Sequence, residues 1–187
     1  MSATQVGLTL LPIGTIIGTL SGFAGVRADR DGPRGLLVVG SLLVAASAAG
    51  LAVSAANYWI GVVAPIAILS VGMALVVAPL TTAVMVSAPD RLSGAASGVN
   101  NAASRLAGLF AITIIGALAS AVYLGELKAN GIPLDDWRFG VLGAGRADHA
   151  VFEQAFLGAY KVALSTAAIW GILAAITALA FMRPNNS

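Results

Sequence analysis

The chain has no cysteine and a single histidine, and only 10% of its 187 residues carry a charge. The missing thiols exclude disulfides, thiolate metal ligands and cysteine nucleophiles. The scarcity of titratable groups leaves little for acid–base catalysis: no carboxylates pair in an apolar setting, and no glycine-rich phosphate loop or metal-ligand spacing occurs. Asp135, Asp136 and His149 come nearest to a metal cluster, and their spacing matches no ligand signature. No enzyme, catalytic residue, cofactor or metal is therefore expected. Nucleic acid is excluded as a partner too, because the net charge is only +2 and the bases form no stripe interleaved with aromatics.

What the chain has in excess is apolar surface. Hydrophobic residues make up 58% of it, with a mean hydropathy of +0.92. A globule of this size could not hide that much, so the lipid bilayer is the first expected partner. Charges and turn residues cut the chain into five apolar runs, at about 6–26, 35–56, 60–86, 94–122 and 156–181. At ~1.5 Å of rise per residue, each is long enough to cross ~30 Å of hydrocarbon as a helix. The expected fold is all-α, one transmembrane domain over 1–187, with a long outer loop at 123–155. No base precedes the first run, as a cleavable signal peptide would require, so that helix is expected to remain.

Orientation follows from the bases. Arg27, Arg30, Arg34, Arg91 and Arg183 fall on one side, which is predicted to be cytoplasmic. Lys128, Arg138 and Arg146 in the fourth connection are accompanied by acids, while Tyr58, Trp59, Tyr123 and Tyr160 gather toward the opposite, outer interface. The expectation is a multi-pass protein of the inner (plasma) membrane, N-terminus outside and C-terminus cytoplasmic. An odd number of helices entered from outside is awkward to insert, and predicts a longer parent chain.

Three helices carry patterns. Gly14, Gly18 and Gly22 form a stripe that lets another backbone approach, with Thr15 and Thr19 placed to bond across the contact. Pro65, Gly72 and Pro79 recur at sevens on the third run, which suits either a static kink or a gating one. On the fourth, Ser97, Asn101, Ser104 and Gly108 share one face, expected to look into the bundle. Asn101 fits either an interhelical hydrogen bond or contact with substrate or water in a cavity. Arg105, a charge inside an apolar run, fits either a pore contact or a side chain snorkelling back to the surface.

The densest charge in the first half is the turn Gly25-Val-Arg-Ala-Asp29-Arg30-Asp-Gly32-Pro33-Arg34. Its small residue, acid, base, glycine and base resemble the Gly-x-Leu-Ala-Asp-Arg-x-Gly-Arg loop of the major facilitator superfamily. Around Pro79, the step Pro79-Leu-Thr81-Thr82 resembles drug:proton antiporters with fourteen helices (EmrB/QacA type), as does Ser93-Gly94-Ala-Ala-Ser97-Gly98-Val-Asn100-Asn101. The resemblance maps onto the carboxy-terminal part of such a transporter. It implies proton-coupled export of a drug or metabolite, with protons and the missing N-terminal helices as partners. It also implies that Asp29 pairs with a helix amino terminus while the arginines clamp the loop; a carboxylate so placed gains ~0.3–1 kcal/mol. Arg27 departs from the family, which prefers an aliphatic residue there, as do Ala107 and Ala111, where glycine is usual. No Asp or Glu lies inside any of the five runs, although a proton-driven antiporter needs a titrating group within the membrane. The competing expectation is a truncated or accessory membrane protein without transport of its own.

Overall fold

The computed structural model describes residues 3–53, 58–132 and 149–182. Five long helices follow one another: α1 (Ala3–Asp31), α2 (Arg34–Val53), α3 (Ala64–Val86), α4 (Ser93–Ala129) and α5 (His149–Phe181). A wide π turn at Trp59–Val63 leads into α3, and a 3-10 turn at Asp90–Leu92 leads into α4. No strand occurs among the described residues. Four helical stretches, Arg34–Val53, Trp59–Val86, Ser93–Ala129 and His149–Phe181, are long and apolar enough to cross a membrane. The fold is all-α and of membrane type.

The packing centres on α2. Helices α3 and α5 lie along it on two sides, α1 packs on α3, and α4 packs on α5. Small residues set these distances. A Cβ on Gly40 would stand 2.8 Å from Val76 Cγ2 and 2.9 Å from the Gly72 carbonyl, so α2 and α3 cross backbone to backbone. On the other side of α2, a Cβ on Gly171 would meet Ala45 Cβ at 2.9 Å. One buried hydrogen bond ties the first crossing: Ser47 Oγ donates to the Pro65 carbonyl at 2.7 Å. Just before Pro65, the Ala64 N–H reaches back five residues to the Trp59 carbonyl. A proline has no N–H for the regular ladder, and the widened turn accommodates that loss.

The largest departure from expectation is at the α4–α5 end. The outer loop was expected to occupy 123–155, but α4 runs to Ala129 and α5 begins at His149. Tyr123, Leu127, Phe152, Ala155 and Ala159 supply the reason. They recur at helical spacing and bury against one another as a small core, which rewards continued helix in both chains. Tyr123 is 1% exposed and lies within that core. With 37 and 33 residues, α4 and α5 measure roughly 55 and 50 Å, well beyond the ~30 Å hydrocarbon layer. The surplus carries Glu126, Lys128 and Glu153. Gly131, at φ 73°, turns the chain out of α4.

Candidate functional site

The loop between α1 and α2 is a tight turn made by two residues with fixed backbone needs. Gly32 adopts φ 85°, a left-handed conformation that side chains resist, and its N–H closes on the Ala28 carbonyl at 3.0 Å to end α1. Pro33 follows, and its carbonyl accepts the Leu37 N–H at 3.0 Å, opening α2. Upstream, Gly25 lets α1 approach α3, with Ala78 Cβ at 4.0 Å from where its Cβ would be.

The charges of the loop sort differently from what the resemblance implied. Arg27 Nε pairs with Asp31 Oδ2 at 2.6 Å, four residues on, with both side chains more than half exposed. Arg34 reaches furthest: its Nη2 donates to the Leu179 carbonyl at 2.8 Å, capping the last turn of α5. Asp29 and Arg30 are exposed, and among the described residues neither side chain makes a hydrogen bond or ion pair. Among the described residues Asp29 therefore pairs with no helix amino terminus; it sits in the last turn of α1, at the carboxyl end of its helix. It lines a cleft of about 620 Å³ together with Pro33, Thr82, Ser87, Phe181 and Met182. Of the loop's arginines, Arg34 is the one that ties it to another helix among the described residues, the end of α5.

Pro79 is fully buried within α3. The face of α4 differs more. Ser97, Asn101, Ser104 and Arg105 are all exposed, as are the apolar Val99, Leu106, Leu109 and Phe110 around them. The polar face was expected to look into a bundle; among the described residues no helix covers it. Helix α4 makes its main contact with α5 through its second half, so its first half has little helix against it among the described residues. The glycines agree: nothing lies within 4 Å of a Cβ on Gly94, Gly98 or Gly108. The Gly14, Gly18, Gly22 stripe of α1 is equally open, and the Thr19 hydroxyl bonds the Thr15 carbonyl of its own helix at 2.8 Å rather than crossing a contact.

The structure thus joins Arg34 to α5 and leaves the polar face of α4 apart from the loop. No cluster of metal-ligating side chains occurs among the described residues; Asp135 and Asp136 lie outside them. Sequence reasoning missed the Arg27–Asp31 pair, for which the i,i+4 spacing was the available signal. It also missed the Arg34–Leu179 contact, which spans 145 residues and has no local signal.

Comparison with known proteins places these features in a family. The model of the Major Facilitator Superfamily matches residues 1–112, covering the loop, the α2–α3 crossing and the exposed first half of α4. The tetracenomycin C resistance and export protein of Streptomyces glaucescens is 31% identical over 122 residues, which is 65% of this chain and 23% of that protein. The chain thus spans about a quarter of the length of this curated relative. Membrane-length helices, the charged α1–α2 turn and a family match over more than half of the chain lead to one conclusion: this chain belongs to the Major Facilitator Superfamily of transporters.

Proposed function

We propose that this chain is the carboxy-terminal part of a proton-coupled, multidrug-type efflux transporter of the inner membrane, working by alternating access. One observation carries the reading: among the described residues the first half of α4 is largely exposed, yet it is two-faced. Ser97, Asn101, Ser104 and Arg105 gather on one side of the helix, and Val99, Leu106 and Phe110 lie on the other. A helix with such faces suits a border between lipid and a watery path, and in this superfamily the substrate site lies between the two halves of the bundle. The apolar side would meet lipid or neighbouring helices, and the polar side would line the path. Asn101 and the serines would offer hydrogen bonds to substrate, and Arg105 a fixed positive charge.

The substrate would be an amphipathic drug or metabolite exchanged for protons, with the relative's tetracenomycin C as the first candidate. The α1–α2 turn would face the cytoplasm, with the N-terminus outside and the C-terminus inside. Since the five apolar runs hold no carboxylate, the proton-binding group would come from helices of the other half, which would also cover the open faces of α1 and α4. That same absence favours one alternative, a truncated or accessory membrane protein with no transport of its own.

Measuring tetracenomycin C accumulation in cells separates the two. The chain fused behind a superfamily amino-terminal half should lower accumulation, a protonophore should abolish the effect, and Arg105→Leu should weaken it. Robust protonophore-sensitive export by the 187 residues alone would contradict the assignment of coupling to other helices. No export from any fusion would favour the accessory reading.

A further inference from the structure

Because α3 and α5 both pack along α2 without packing along each other, α2 floors a furrow between them. Leu37, Ser41 and Ala178 lie at its bottom, each at most 9% exposed, with Leu80 of α3 on one wall and Thr177 and Phe181 of α5 on the other. The furrow holds about 310 Å³ and its lining is almost wholly apolar. Its open end is not apolar. Arg34, Leu37 and Ser41 follow one stripe of α2 at spacings of three and four, which stations Arg34 one turn beyond the floor, at the loop end of the helices. The bond to the Leu179 carbonyl holds its guanidinium across from α2 to α5. Its Nε is buried without an acceptor.

Arg34 is only partly buried and spends Nη2 on the Leu179 carbonyl, which leaves further guanidinium donors at the loop end of the helices, and phosphate oxygens fit the planar donor fork of arginine. An apolar furrow running from that donor into the hydrocarbon calls for an alkyl chain. One molecule present in every membrane has both parts. We propose that the furrow binds an anionic phospholipid, with an acyl chain lying over Leu37 and Ser41 between α3 and α5 and the headgroup phosphate at Arg34. Basic pockets between helices at a membrane surface are established places for anionic headgroups. Such a lipid would fasten the ends of α2, α3 and α5 beside the α1–α2 turn. The proposal needs only that the helices cross a bilayer, and stands apart from the transport reading.

The test is native mass spectrometry of the full chain released from bilayers containing equal phosphatidylglycerol and phosphatidylcholine, counting retained lipid. Phosphatidylglycerol should be retained about fivefold over phosphatidylcholine, the preference a single basic residue gives near a membrane surface. Arg34→Gln should bring the ratio to one, and Arg34→Lys should keep most of it. Leu80→Trp fills the furrow from a wall that is 39% exposed and so tolerates bulk; it should displace the lipid from protein that remains folded. Arg91→Gln, an exposed cation in the turn before α4, should leave the ratio unchanged. The proposal is overturned by an undiminished ratio in Arg34→Gln, by lipid retained in Leu80→Trp, or by inorganic phosphate displacing the lipid, which would mean a free-anion site.

Discussion

A Cβ added to Gly40 of α2 would fall 2.8 Å from Val76, while one added to Gly98 of α4 would meet nothing within 4 Å. Both glycines sit in apolar helices rich in small residues, and both lie within the stretch that matches the superfamily. Around α2 the small residues are in use: Gly40, Gly72 and Gly171 bring three helices to backbone contact. Along α1 and the first half of α4 the same kind of residue faces open space. A small residue therefore marks a place where a backbone can approach and does not say which backbone does. In the α2 group the partners are α3 and α5. For α4 we assign them to the other half of a transporter.

Substitutions can break or sharpen that contrast. The largest effect is expected at the crossing of α2 and α3. Gly40→Val drives side-chain carbons into the Gly72 backbone and should cost about 3 kcal/mol or more, read as a loss of thermal stability in detergent. In the α4–α5 projection, Leu127 is fully buried, and Leu127→Ala should cost about 2–3 kcal/mol, with amide exchange rising first near Phe152. Ser47→Ala removes the buried bond to the Pro65 carbonyl. Its expected cost is about 1 kcal/mol, visible as a smaller drop in the same melting series. Gly98→Ala should act in the opposite direction, gaining about 0.5 kcal/mol through helix propensity; a destabilisation like that of Gly40→Val would end the distinction between the two regions. Smallest of all, Arg27→Ala breaks an ion pair that is 60% and 54% exposed and should change stability by less than about 0.5 kcal/mol.

The same contrast explains what the sequence could and could not reveal. The all-α class and four of the five expected membrane-length helices were legible, because uninterrupted apolar runs of membrane length have few other physical solutions. The turn was legible too, since Gly32 and Pro33 carry their backbone requirements locally. The ends of α4 and α5 were not. Glu126, Lys128 and Glu153 read as a solvated loop, while Tyr123 and Phe152, which pull both helices onward, bury only once the two helices meet. Partner choice was illegible for a similar reason: Arg34 finds Leu179 through the packing of α5 on α2, and nothing near either residue announces it. The α4 stripe of Ser97, Asn101 and Ser104 was visible as a face, yet what it meets depends on the neighbours that helix has.

The central claim is that this face borders a watery transport path while the opposite face meets lipid or other helices. The chain lacks cysteine, so single introduced thiols report cleanly. Ser97→Cys, Asn101→Cys and Ser104→Cys should react with a membrane-impermeant maleimide in export-competent cells, and excess tetracenomycin C should slow that labelling. Val99→Cys, Leu106→Cys and Phe110→Cys should stay unlabelled. Equal labelling of both faces, or none at Asn101→Cys in cells that still export, would contradict the account.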